Sequence, residues 1–392
     1  MSTVSWPNVK LRLSILSLLV AVSSTQAQIF TLIADNRTPV PGGTGTFSGF
    51  YDNRAIHQNQ VIFIGWDSQN KTGIYSFKNG QVTVVADTHT TVPGTSSLFS
   101  TFNDVDFARS RIAFTGVWAG GNQGVFLQSG QDPLQAWATT ATTGKKYFQG
   151  ITLFQRKLMV TGGVNLVDGF GNHSESVMSI ARQDTAKVLL DTNTSKPEGG
   201  TFVGYDQTVK LAPNGLLFTE IIPNTIPTAA GIYELPSGST VPVLVVNQQT
   251  PVPNGSGSFQ GYLGLDWDGG EVAFSGLTSL GPFLYAATSP STVRVIADWS
   301  TPMPDGGFFS GVANPLAYEG GTFVFEGYGG GGIGLFTSQN GVITTVLKAG
   351  DQLNGRTVSD AFCYEGGKSG NHLLIRVLYT DFTNALYLVD LN

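Results

Sequence analysis

The stretch Ala34-Asp35-Asn36-Arg37-Thr38-Pro39-Val40-Pro41-Gly42-Gly43 decides the fold, because it returns along the chain. It reappears as Ala86-Asp87-Thr88-His89-Thr90-Thr91-Val92-Pro93 and as Ala297-Asp298-Trp299-Ser300-Thr301-Pro302-Met303-Pro304. Weaker copies begin at Asp191 and at Asn247, and almost erased ones at Thr139 and Gly350. With Asp35, Asp87, Thr139, Asp191, Asn247, Asp298 and Gly350 as markers, the intervals are 52, 52, 52, 56, 51 and 52 residues. Seven near-equal repeats define a closed or stacked repeat architecture.

Each repeat reads as strands and turns. In the first, Phe47 to Ile56, Gln60 to Gly65, Gly73 to Phe77 and Val82 to Ala86 alternate or run apolar, with Lys78-Asn79-Gly80 as a turn. The same series recurs in the other repeats, for example at Ile112 to Gly116, Val272 to Gly276 and Thr322 to Gly327 for the second strand. No window holds a 3.6-residue period long enough for a stable helix. Four antiparallel strands per unit of about 50 residues predict an all-β, seven-bladed β-propeller. The alternative, a parallel β-helix, is usually built from shorter repeats.

The two ends test this reading. The last repeat offers strands near Val358 to Tyr364, His372 to Tyr379 and Ala385 to Leu391, and no fourth. Ile29 to Asp35 matches the fourth strand of the other repeats. It is therefore expected to complete the last blade and close the ring, which removes two exposed sheet edges. The Thr-Pro-Val-Pro-Gly-Gly segment then carries the chain from an outer strand to the next inner one. Proline ends the ladder, glycine permits the reversal, and an Asp after a strand caps nearby amides. The motif thus reads as scaffold. In its Ala-Asp-x-x-Thr-Pro-x-Pro-Gly-Gly pattern, followed by Phe-x-Gly-Phe/Tyr, the chain resembles repeats of exported bacterial proteins across residues 28–392. That resemblance implies architecture and brings no activity or catalytic residue with it.

Residues 1–27 read as a secretion signal. Lys10 and Arg12 precede the apolar run Leu13 to Val22, and Thr25-Gln26-Ala27 offers small residues at a cleavage site. The run is too short to span a bilayer, and no later stretch is long enough, so a secreted protein without membrane insertion is expected. Cleavage would remove two of the 21 basic residues and none of the 27 acidic ones, moving the net charge from −6 to −8. An acidic surface without a basic patch argues against nucleic acid as a partner. The single Cys363 cannot form an internal disulfide and reads as a buried small hydrophobe. Stability must then come from a large core, and a monomer is expected.

Three groups of residues are candidates for chemistry. Propeller function usually sits around the central channel, on the face built by the inter-blade linkers and the second-to-third-strand loops. Asp52, Asn103, Asp104, Asp206, Asp266 and Asn314 fall on inner strands near it, and oxygen ligands converging on an axis suit Ca²⁺. Propeller lactonases use such a site, and the chain resembles them in architecture alone. Strand-end capping is the plainer role for these groups. Trp66, Asp67, Trp118, Tyr328 and Tyr379 lie at second-strand ends, where aromatic faces beside polar groups suit sugar rings, or pack blade to blade. The longest loop, Gly162 to Glu175, carries Asp168, Asn172, His173 and Glu175, and His173 is the catalytic candidate as a general base. His89 shares the predicted face, whereas His57 and His372 fall opposite.

Common enzyme signatures are missing. The sequence has no Gly-x-Ser-x-Gly, no His-Glu-x-x-His and no phosphate loop, and Gly329 to Gly332 reads as a flexible turn. The leading expectation is an exported binding or scaffolding propeller that engages a glycan or another extracellular surface component. An extracellular hydrolase or lyase acting on a carbohydrate or lactone is the alternative, with a structural role in a surface assembly as the third.

Overall fold

The computed structural model describes residues 28–391 apart from 44, 164–172, 181–184 and 223–228. The leader expected at residues 1–27 and the candidates Asp168 and Asn172 lie outside the described residues, as do the side chains of His173 and Asn314. The chain forms a seven-bladed β-propeller. Blade 1 consists of Phe47–His57, Gln60–Asp67, Thr72–Lys78 and Gln81–Asp87, hydrogen-bonded in that order. Blades 2 to 6 repeat this antiparallel order from first strands Phe99–Ala108, Tyr147–Phe154, Tyr205–Ala212, Gly261–Trp267 and Phe309–Glu319.

Ring closure follows the expected route. Blade 7 is built from Arg356–Phe362, His372–Tyr379 and Asn384–Asp390, and Ile29–Asp35 pairs antiparallel with the last of these. A buried ion pair, Arg356 Nη2 to Asp35 Oδ2 at 3.1 Å, ties the two ends of the chain. The Arg356 guanidinium also lies 3.9 Å from the centre of the Tyr379 ring.

Why the blades stack is visible in the second strands. Val61 to Ile64 are fully buried, because both faces of the sheet meet a neighbour. Ile62 and Ile64 pack toward Phe99, Phe102 and Phe114 of blade 2. Val61 and Phe63 pack on the other face with Leu374 and Leu386 of blade 7. Four blades carry an aromatic quartet begun by a Phe-x-x-aromatic pair: Phe47, Phe50, Phe63 and Tyr75, then Phe99, Phe102, Phe114 and Phe126, and likewise in blades 4 and 5. The edge-on pairs Phe47–Tyr75, Phe99–Phe126 and Phe259–Tyr285 have centroids 4.8–4.9 Å apart. Such contacts contribute roughly 0.5–1.5 kcal/mol each beyond area burial.

The repeated linker is a hydrogen-bonded turn. Asp35 N donates to Thr38 Oγ1 at 2.9 Å, while Thr38 Oγ1 and Arg37 N donate to Asp35 Oδ1 at 3.0 Å. The same arrangement holds Asp87 with Thr90, Asp191 with Thr194, Asn247 with Thr250 and Asp298 with Thr301. The two eroded copies keep the physics with other residues. Thr139 N donates to Thr142 Oγ1 at 3.1 Å, in a capping box that starts the one-turn helix Thr140–Thr143. In the last copy Lys348 N donates to Asp351 Oδ2 at 2.9 Å.

Candidate functional site in the axial cavity

Every first strand breaks register near its middle. The shifts fall between Phe50 and Arg54, Phe102 and Asp104, Phe148 and Ile151, Tyr205 and Val209, Tyr262 and Gly264, Val312 and Leu316, and Val358 and Asp360. A bulge inserts unpaired residues and re-aims side chains, so these strands point polar groups at the axis that a strict alternation would not. They wall a cavity of about 560 Å³ lined from blades 1, 2, 3, 4 and 7.

Most of the acidic residues expected to ligate Ca²⁺ hold neighbouring backbone instead. Asp104 accepts from Val105 N at 2.8 Å and reaches across to Ile151 N of blade 3 at 2.7 Å. Asp106 repeats this with Phe107 N and Leu153 N, at 2.7 and 2.6 Å. Asp266 clasps three blades, accepting from Trp267 N at 2.9 Å, Tyr318 N at 2.9 Å and Gly366 N at 3.0 Å. Its remaining contact is Lys210 Nζ at 3.5 Å. Asp206 Oδ1 accepts from Thr208 N at 2.9 Å within its own bulge. Asn103 lies on the blade 2 first strand and Asn314 on that of blade 6. Among the described residues, no three His, Cys, Asp or Glu side chains come together to hold a metal ion.

The cavity wall carries cations that the sequence reading passed over. Arg54 is buried, with its guanidinium 3.8 Å from the centre of the Tyr364 ring. None of its three nitrogens makes a well-formed hydrogen bond among the described residues, and burial holds its pKa below the usual arginine value. Arg376 stands beside it, and Asp52 Oδ1 lies 3.7 Å from Arg54 Nη2 and 3.3 Å from Arg376 Nη1. The Asp52 side chain is 74% exposed, so this carboxylate is a wet neighbour of two guanidiniums, which would repel a divalent cation there. Deeper in the wall, burial opposes the Lys210 charge, yet Asp266, Glu365 and Asp106 outweigh it and raise its pKa. Burial pushes Glu365 up to about 7 despite Lys210.

The aromatic candidates divide. Trp66 folds back over Gly49, where a Cβ would sit 2.2 Å from the indole, and its ring centroid lies 4.7 Å from that of the exposed Tyr51. Tyr328 crosses Gly311 in the same way and is partly exposed. Trp118 is instead buried against Phe126, and Tyr379 is buried with its hydroxyl 2.6 Å from that of Tyr387. These two are packing residues, because their rings turn into the blade rather than over a glycine. Asp67 is a turn cap, accepting from Gln69 N and Lys71 N. His89 is exposed in the blade 1 to blade 2 linker, 3.6 Å from Asp87. The backbone of His173 pairs with Asp206, so the long blade 3 loop returns along the inner strand of blade 4. Ser174 Oγ anchors it, donating to Gln149 Oε1 at 2.7 Å.

A signal for the missed residues exists in the repeats themselves. Arg376 stands where the other second strands carry Ile64, Thr115, Thr161, Thr219, Ser275 and Glu326. Blade 4 departs too: Glu220 replaces the second-strand glycine and Lys196 the linker valine, and the two form an ion pair at 3.0 Å. Tyr233 joins them, its hydroxyl 3.2 Å from Glu220 Oε2.

Solved structures share this architecture. The β-propeller domain of the trilobed protease from Pyrococcus furiosus, described as having an open velcro topology, superposes with a TM-score of 0.54 at 12% identity, over 88% of this chain and 96% of that one. A prolyl endopeptidase (TM-score 0.54, 11% identity) and an acylaminoacyl peptidase (0.54, 14%) match over 91% and 88% of this chain. This chain spans about half of each of those peptidases, 50% and 51% of their lengths. At these identities the likeness concerns the fold. No family model matches the sequence, and no curated protein matches it.

Proposed function

We propose that this protein is an exported binding propeller that engages a glycan or a similar extracellular surface component through the linker face of blade 1 and the adjoining axial cavity. The observation that carries this reading is the Tyr51–Trp66 pair. Two aromatic rings remain accessible at the inner strand, and the next residue, Asp52, already belongs to the polar cavity wall. A flat aromatic surface beside fixed donors and acceptors suits a sugar ring, whose C–H face stacks while its hydroxyls are hydrogen-bonded. Further apolar side chains are exposed on the same linker face, among them Leu98, Val203, Leu280, Phe308 and Phe382. A contact surface of this kind suits recognition better than solvent alone. The shared propeller scaffold of peptidases supports the architecture of a binding ring and adds nothing about its ligand. A glycan array probed with the wild type and with Trp66→Ala tests the proposal. Retention of a defined glycan set by the wild type, weakened at least about tenfold in Trp66→Ala, is expected from the loss of a stacking aromatic. An array with no signal above background overturns it.

A further inference from the structure

We infer that the Arg54–Arg376 pair in the axial cavity is a receptor for a carboxylate, and that the ligand is an acidic sugar of the uronic-acid type whose carboxylate displaces Asp52. The inference rests on the glycan reading for the sugar and on independent geometry for the carboxylate. Arg54 is 4% exposed, and its Nε, Nη1 and Nη2 are buried without a well-formed hydrogen bond among the described residues, as is Arg376 Nε. Buried donors left unpaired are costly, and a guanidinium more so than a neutral group. One face of the Arg54 group is covered by the Tyr364 ring at 3.8 Å, which fixes its plane. The stacked, planar fork is oriented for a carboxylate, which it would bind through paired hydrogen bonds.

Asp52 shows what such a ligand would do. Its Oδ1 bridges both guanidiniums at 3.7 and 3.3 Å, longer than the charge-assisted hydrogen bonds of a committed pair. Its side chain is 74% exposed, so leaving the guanidiniums costs it little solvation. Asp52 is therefore a weakly held stand-in carboxylate. Two arginines against one aspartate leave a local excess of one positive charge, which matches a single acidic group. The other carboxylates of the wall are engaged elsewhere: Asp104 and Asp106 accept backbone amides of blades 2 and 3, Glu365 accepts from Leu265 N and faces Lys210, and Asp52 is the carboxylate that acts on the Arg54 charge. The cavity of about 560 Å³ accommodates a monosaccharide unit, and Tyr51 and Trp66 stand beside Asp52 to stack its ring.

Titration calorimetry or ligand-observed NMR with D-glucuronate, D-glucose and inorganic sulfate tests this. Glucuronate is expected to bind at least about tenfold more tightly than glucose, and Arg376→Gln to lower glucuronate affinity about tenfold. The decisive variant is Asp52→Asn, which changes an exposed residue and leaves the fold in place. Removing the competing carboxylate should tighten glucuronate about fivefold and raise its preference over glucose. Weaker or unchanged glucuronate binding by Asp52→Asn overturns the inference, as does equal affinity for glucose and glucuronate. Sulfate competing as well as glucuronate would overturn the assignment of a planar carboxylate. Neutral glycans retained on the array with no preference for acidic ones would leave the glycan reading standing and this inference refuted. Glucuronate bound in solution with every arrayed glycan unretained would support the carboxylate receptor and refute the glycan reading.

Discussion

Replacing Asp266 by alanine should be among the most damaging single changes in this ring, and the size of the loss can be worked from its contacts. The carboxylate is 3% exposed and accepts three backbone N–H groups, from Trp267, Tyr318 and Gly366, in blades 5, 6 and 7. Hydrogen bonds to a charged acceptor contribute roughly 1.5–3 kcal/mol each, and buried donors stripped of a partner lose most of that. The change also leaves the largely buried Lys210 without its 3.5 Å partner. Breaking a buried pair by removing one member costs about 3–5 kcal/mol. These terms overlap, so we expect a loss of about 4–6 kcal/mol for Asp266→Ala. Asp266→Asn keeps an oxygen for the Tyr318 and Gly366 amides but loses the charge facing Lys210, and should lose about half as much. Urea denaturation followed by tryptophan fluorescence measures both. A loss below about 1 kcal/mol for Asp266→Ala would refute the claim that this carboxylate clasps the blades.

Further outcomes are expected elsewhere in the ring. Glu326 is buried near Asp360, and burial first, then the Asp360 charge, lift its pKa from 4.5 to about 8. The folded state therefore keeps a proton that the unfolded state releases, so stability should fall as pH rises from about 4.5 to 8. Glu326→Gln should flatten that fall by roughly 2–4 kcal/mol in denaturation curves taken across the window, and an unchanged slope would count against it. Gly276→Ala would place a Cβ 2.6 Å from the Phe259 ring and should destabilise by about 1–3 kcal/mol through overpacking, read as a lower urea midpoint. Arg356→Ala breaks the buried pair with Asp35 that latches the closing strand. It should loosen Ile29–Asp35 and speed backbone hydrogen exchange there well beyond that in blade 4, while uniform exchange in both places would show that the latch does not matter.

The ring was legible because its information is local and copied. Asp35, Asp87, Asp191, Asn247 and Asp298 each make the same turn with the residue three positions on, so the period survives in the letters. Even Thr139 and Lys348, where the letters fail, keep a cap from three positions on; the spacing led to Thr139 itself and to Gly350, two residues past Lys348. The closing strand was legible for the same reason: Ile29 to Asp35 repeats a pattern whose partner was missing at the other end. The site was far less so. Its residues come together from positions far apart in sequence, as with Asp52 and Arg376, 324 positions apart in neighbouring blades. The bulges also shift the side-chain phase inside each first strand, so alternation cannot say which of Asp52, Asn53 and Arg54 faces the axis. Carboxylates on inner strands read as metal ligands or, more plainly, as strand-end caps, and only the register showed Asp104 and Asp266 bound to amides of the next blade. Trp66 and Trp118 look alike in sequence. What separates them is register: Trp66 lies opposite Gly49, which leaves room for its ring above the inner strand, whereas Trp118 lies one place further along, opposite Phe99, and so turns to the other face.

The most direct test of the binding account is a hydrogen-exchange footprint of the protein with and without the best glycan from the array. The account predicts new protection in Phe47–His57, in the end of Gln60–Asp67 that carries Trp66, and in His372–Tyr379 around Arg376. Protection confined to the hairpins on the opposite face, such as those at His57 and Asn79, or to the outer strands, would contradict it.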